Sequence, residues 1–195
     1  MRGLPKPTQV RISAGRWKGR RLPIPEGARP TSARAREALF DIIQQSVQGA
    51  TVLDLYAGSG AVGLEALSRG AARAVLVEEK GDLLEKTVGA LPQEAGEILV
   101  LREAAAAAIA RLRREGIVFD LIFSDPPYAA GDAAEGEASA LLAPGGLLIL
   151  QRDRGASSRE IEGLALVSRR DYGRNVFLFY AAAASRCQLL RPDSL

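Results

Sequence analysis

The chain has 195 residues, 47% of them hydrophobic and 25% charged, which suits one soluble domain with a sizeable core. One cysteine, Cys187, and no histidine exclude an intramolecular disulfide, Cys/His zinc sites, histidine acid–base catalysis and Ser–His or Cys–His nucleophile pairs. The net charge of +3 hides a division: residues 1–36 hold ten Lys/Arg against one acid, the remainder 16 against 22. A basic arm on a mildly acidic body is an electrostatic handle for a polyanion. No apolar run approaches the roughly 20 residues that span a bilayer, and the N-terminus lacks the apolar segment of a secretory signal, so a cytoplasmic location is expected.

In chain order, residues 9–13 alternate polar and apolar as a half-buried strand does, and residues 20–25 form a return strand that prolines stop. The hairpin tip would carry Arg16, Trp17 and Lys18, an aromatic ring between two cations that could stack on a base or pack the arm onto the body. Thr31 or Ser32 caps a helix whose Arg36, Leu39, Phe40, Ile43 and Val47 follow at helical spacing until Gly49. Strand–helix alternation then begins: strands over 51–55, 74–77, 97–101, 118–124 and 147–151, with helices over 61–69, 82–91, 103–115 and 133–142. Ala143-Pro144-Gly145-Gly146 reads as a turn, and 165–168 with 176–181 as a closing pair of strands. The pattern predicts an α/β fold with a mostly parallel sheet. Residues 1–30 would be the basic arm, 31–184 the catalytic body and 185–195 a tail.

Two stretches carry chemistry. Asp54-Leu55-Tyr56-Ala57-Gly58-Ser59-Gly60-Ala61-Val62-Gly63 places GxGxxG between a strand and a helix, where glycines let the backbone approach a ligand closely. Glu78 lies 20 residues after Gly58, where an acid accepts hydrogen bonds from ribose hydroxyls. The ligand so far is a dinucleotide or S-adenosylmethionine. The second stretch is Asp125-Pro126-Pro127-Tyr128 at the end of a buried strand. A carboxylate and the bare Pro126 carbonyl can accept both N–H bonds of an exocyclic amine and favour its pyramidal transition state, while Tyr128 stacks the base. This slot serves guanine N2 and adenine N6 alike. A nicotinamide oxidoreductase would share the glycine loop and Glu78 but leave the slot and the arm unused.

The two motifs, in this order, resemble class I S-adenosylmethionine methyltransferases that act on amino nitrogens. A wider resemblance covers most of the chain: Arg11 to Arg20, Leu22-Pro23, Arg29-Pro30-Thr31 through Arg36 to Phe40, and Ala57 to Gly70 are similar to the bacterial RsmD family. That family methylates N2 of one guanine in 16S ribosomal RNA, guanine 966 in standard bacterial numbering. The resemblance implies a Rossmann-like class I fold, a seven-stranded sheet with the last strand antiparallel, and an N-terminal hairpin arm. It implies S-adenosylmethionine as donor, held by Asp54, Tyr56, Ala57, Gly58, Ser59, Gly60, Glu78 and Asp125. Glu103-Ala104 stands where the family has an acidic turn against the donor's adenine. Asp125, Pro126 and Tyr128 would be catalytic. Arg16, Trp17, Lys18, Arg20, Arg21, Arg29 and Arg34 would contact 16S RNA in a small ribosomal subunit or its assembly intermediate.

Overall fold

A computed structural model describes residues 9–27, 31–92, 96–127 and 133–183. Its centre is a seven-stranded sheet: β3 (Thr51–Leu55), β4 (Arg73–Val77), β5 (Glu97–Leu101), β6 (Phe119–Ser124), β7 (Leu142–Asp153), β8 (Leu164–Tyr172) and β9 (Asn175–Ala182). The spatial order is β5-β4-β3-β6-β7-β9-β8. The pairs from β5 across to β7 are parallel, and β9 lies antiparallel between β7 and β8. The expected mostly parallel sheet with an antiparallel last strand is therefore observed. Both faces are covered, which is why the central strands read as continuous apolar runs. Leu121 and Phe123 of β6 join one core, and Ile122 joins the other.

One face carries α1 (Ala33–Val47), α2 (Ala61–Ser68) and α3 (Asp82–Gly89); the other carries α4 (Ala105–Arg114) and α5 (Ala133–Ala138). Ser32 caps α1 by accepting the Ala35 N–H, and the buried stripe is Ala35, Arg36, Leu39, Phe40, Ile43 and Val47. Helix α4 starts two residues later than its composition suggests, because Ala104 is extended (ψ 145°) and acts as the cap. Helix α5 passes into a 3-10 turn over Ser139–Leu141. The Ala143–Gly146 turn falls inside β7 as a bulge between the Phe119↔Leu142 and Leu121↔Leu147 pairs. Strand β8 runs to Tyr172, past its sequence signal, because an edge strand can carry Arg169, Arg170 and Asp171 on its open side. Among the described residues no helix is long and apolar enough to cross a membrane.

The N-terminal hairpin, β1 (Gln9–Arg11) with β2 (Arg21–Pro23), is fastened to the body. Ile12, Trp17 and Leu22 belong to the same core as α1 and α2. The N–H groups of Arg16 and Trp17 donate to the Ser68 carbonyl and hydroxyl at 2.8 and 2.9 Å. Gly15 makes this approach possible: it sits at φ +79°, and a Cβ there would lie 1.9 Å from the Ser68 carbonyl oxygen. Gly19 has φ +83° but open space around it. We expect Gly15→Ala to lose at least about 2–3 kcal/mol in urea unfolding, against about 1–2 for Gly19→Ala. Equal losses would show that the close approach adds nothing beyond backbone strain.

Candidate active site

The sheet brings the functional residues together at one edge. Register pairs Val77 with Leu55, Leu55 with Ser124, and Ser124 with Leu150. The next residue on each strand is then Glu78, Tyr56, Asp125 and Gln151, in a row along the carboxyl ends. The chain reverses its winding between β3 and β6, and ligands bind at such a switch point. A cleft of about 1500 Å³ opens there.

On the donor side, the β3–α2 turn is shaped by three left-handed residues: Tyr56 (φ 62°), Gly58 (φ 55°) and Gly60 (φ 74°). Tyr56 is the non-glycine among them, and such a conformation persists where surrounding bonds hold it. Here the Ala57 N–H donates to the Val77 carbonyl at 2.9 Å and the Gly60 N–H to the Ala57 carbonyl at 2.7 Å. Asp54, 2% exposed, accepts the Gly63 N–H at 2.8 Å, tying the strand end to the first turn of α2. Burial pushes its carboxyl up to about 7 against that hydrogen bond, and Asp125 and Glu78 push the same way. Glu78 accepts the Gly58 N–H at 2.9 Å and the Lys80 N–H at 3.2 Å. Ser59, Glu103 and Ala104 line the same cleft, and Glu103 Oε1 pairs with Arg111 Nη1 at 3.5 Å.

On the opposite side stands Asp125, half-buried with Pro126 at the cleft wall. Gln151 donates from Nε2 to Asp125 Oδ2 at 2.9 Å, and the Thr31 hydroxyl donates to Gln151 Oε1 at 2.9 Å. Burial pushes Asp125 up to about 7; Arg152 and the Thr31 hydroxyl pull it down, while Asp153 adds to the rise. Behind the slot, Glu135 (1% exposed) accepts from Ser124 at 3.0 Å and from Arg152 through the same oxygen. Burial raises the Tyr56 phenol, with Glu135 adding and Arg152 opposing. Tyr128 lies outside the described residues.

The basic residues divide. Lys18, Arg21 and Arg34 are exposed, and Arg34 lines the cleft. Arg20 donates to the Ala90 carbonyl at 3.0 Å, and Arg16 to that of Leu67 at 3.1 Å. Arg29 lies outside the described residues. Trp17 is corrected: it is 7% exposed and part of the core, with the Arg16 guanidinium 5.8 Å from its ring centre. Extracting a buried tryptophan costs about 3–5 kcal/mol, whereas stacking one base returns about 1–3, so the docked position wins and Trp17 offers no stacking face. Sequence reasoning missed Gln151 as a partner of Asp125. Its signal was present: it is the first polar residue after Leu147–Leu150, as Asp125 follows the apolar run of β6.

A seven-stranded sheet with this order, a glycine turn after its first parallel strand and an acid after its second define the class I methyltransferase fold. The solved structure of yhhF from Escherichia coli superposes with TM-score 0.76 at 32% identity, covering 89% of this chain and 98% of that one. The Thermus thermophilus 16S rRNA N2 G1207 methyltransferase, solved with AdoMet and guanosine, superposes with TM-score 0.65 over 89% of this chain and 49% of its own; at 24% identity it speaks for the fold alone. The family described as "Conserved hypothetical protein 95" matches residues 10–181, and the chain belongs to this family, the RsmD family. Ribosomal RNA small subunit methyltransferase D of Escherichia coli K12 is 40% identical over 126 residues, 63% of this chain. That match spans 62% of the relative's length, less than two thirds.

Proposed function

We propose that the chain transfers a methyl group from S-adenosylmethionine to N2 of a guanine in 16S ribosomal RNA, guanine 966 in standard bacterial numbering. The observation that carries this is the position of Asp125 beside Pro126, across one cleft from the Gly58–Gly60 turn and Glu78. Gly58, Ser59 and Gly60 would face the donor's amino-acid end, Glu78 its ribose, and Glu103 with Ala104 its adenine. Bound there, the donor supplies an electrophilic methyl on a sulfonium.

The chain's own residues act on the acceptor. Asp125 and the Pro126 carbonyl accept the amine's N–H bonds and concentrate its lone pair toward the methyl carbon. As N–C forms and C–S breaks, S-adenosylhomocysteine leaves and the surplus amine proton passes to Asp125 or water. Residues 1–30 serve as the RNA handle and 31–184 as the catalytic body, with the handle's ring and aliphatic side chains built into the body's core. The target lies in a small ribosomal subunit or its assembly intermediate.

The test is mass mapping of methylated nucleotides after reaction of labelled donor with small-subunit RNA and particles lacking the mark. N2-methylguanosine at one position is expected. N6-methyladenosine would replace guanine with adenine as the acceptor, and no transfer to either would sink the reading. RNA affinity should also fall linearly on a log–log plot against salt, with a slope near −0.7 to −0.9 per phosphate contact. Charge reversal at exposed Lys18 or Arg21 should flatten that slope by about one such unit. A salt-independent affinity would remove the handle.

A further inference from the structure

Two buried polar residues remain without a role in that mechanism. Gln151 is 6% exposed and Thr31 is 9% exposed. They form a chain that ends on the acceptor carboxylate: Thr31 Oγ1 to Gln151 Oε1, then Gln151 Nε2 to Asp125 Oδ2, both at 2.9 Å. An ionised carboxylate only accepts, so the NH₂ end of Gln151 faces Asp125, and the amide oxygen is then held by the Thr31 hydroxyl. One carboxylate oxygen is thereby engaged by Gln151, and the Thr31 hydroxyl also stabilises the charged form of the same carboxyl.

We propose that Gln151, locked by Thr31, is the positioning residue that orients the Asp125 carboxylate toward the acceptor amine and keeps it in the accepting, ionised form. The proposal rests on the amine-methylation reading. The amide does two things at once. It fixes the rotation of the carboxyl plane, so that the other oxygen points into the slot. It also supplies a hydrogen bond to the charged form, which opposes desolvation. That opposition matters because burial is the largest influence on Asp125, whose carboxyl stands at about 7 even with Arg152 and the Thr31 hydroxyl pulling it down. The other charged groups facing it are Asp54 on β3, which repels it, and Arg152 and Asp153 on β7, which pull it in opposite directions. A neutral donor from Gln151 helps the carboxylate without placing a further fixed charge beside a cationic donor.

The arrangement also has a structural consequence. Thr31 immediately precedes the α1 cap Ser32, whereas Gln151 lies on the central sheet. The carboxylate therefore owes its orientation to two segments 120 residues apart in sequence. A shift of the segment entering α1 would turn Gln151, and through it Asp125.

Three variants test this: Gln151→Met, which keeps length without a donor; Thr31→Val, which keeps shape without a hydroxyl; and Thr31→Ser, which restores the hydroxyl. Single-turnover methyl transfer, donor affinity by calorimetry and carbon-13 NMR titration of the Asp125 carboxyl in the ligand-free protein are measured for each. Gln151→Met and Thr31→Val should lower the transfer rate about ten-fold or more, leave donor affinity within about two-fold, and move the Asp125 midpoint upward by about one pH unit. Thr31→Ser should match wild type in all three. An unchanged Asp125 midpoint in Gln151→Met overturns the proposal, as does a wild-type transfer rate in folded Gln151→Met. The titration reads the orientation without any methyl transfer. A wild type that methylates no guanine would therefore sink the functional reading alone, and a fixed midpoint would sink this proposal alone.

Discussion

Asp125→Ala should cut the methyl-transfer rate by about 10²–10³-fold while changing donor affinity by less than about three-fold; Glu78→Ala should do the reverse, weakening donor binding about 10–100-fold. The division follows from what each carboxylate touches. Asp125 is held by Gln151 on the far side of the cleft from the glycine turn, so its loss removes acceptance of the amine hydrogens. Such an interaction strengthens as the amine becomes pyramidal, and its loss falls on the chemical step. Glu78 instead anchors the Gly58 N–H and the Lys80 N–H. Its loss frees the turn that must meet the donor and removes the acceptor for ribose hydroxyls. Calorimetry with S-adenosylhomocysteine and single-turnover transfer separate the two effects. If Asp125→Ala abolished donor binding and Glu78→Ala spared it, the assignment of sides in the cleft would be reversed.

The same carboxylate sets the pH dependence. Asp125 must be ionised to accept, and its pKa of about 7 lies well above the ordinary carboxyl value. Transfer should therefore be complete above that midpoint and fall about ten-fold per unit below it. Asp54 shares a raised value and interacts with Asp125, so the observed midpoint belongs to the pair.

What could be read from sequence was what repeats or punctuates. Alternating apolar runs and helical stripes located every strand of the sheet, and Gly58, Gly60, Glu78 and Asp125 stood at strand ends that only parallel winding brings together. The missed features depend on pairing across long sequence distance. Nothing near Gln151 in the chain announces Thr31. The charge-rich end of β8 hides how far that strand runs, because an edge strand need not bury Arg169 or Arg170. The arm left two readings open for a related reason. Its tip could stack on a base or pack onto the body, and the bonds to Ser68 and Glu65 on α2 that dock it lie far along the chain.

That docking supplies the largest expected effect on stability. Glu65 is fully buried and accepts from Arg36 Nε at 2.8 Å, Arg69 Nη2 at 2.9 Å, and both the backbone and the hydroxyl of Ser13. Burial opposes its ionisation, but the hydrogen bonds from Ser13, Arg36 and Arg69 outweigh burial and hold its carboxyl below the ordinary value. Arg36 is 1% exposed, donates to the Arg11 carbonyl, and has one guanidinium nitrogen, Nη1, without a partner. Its charge is therefore compensated chiefly by Glu65. Glu65→Leu should destabilise the fold by about 3–5 kcal/mol, because it leaves a buried cation without its counterion. Thermal unfolding should shift down by roughly 2–4 °C for each kcal/mol. Adding Arg36→Met should recover much of the loss, since replacing both partners of a buried pair is often close to neutral; Arg69 and Ser13 would still lack their acceptor. A loss below about 1 kcal/mol for Glu65→Leu would show that the cluster is solvated and weak. The pH sign is that of a depressed carboxyl: its stabilisation is present above the ordinary value of 4.5 and is lost as pH falls toward the lower folded value. Because this carboxylate grips Ser13 and, through Arg36, the Arg11 carbonyl, the hairpin should loosen before the sheet does. RNA affinity should then hold above about pH 4.5 and fall as the pH drops below it.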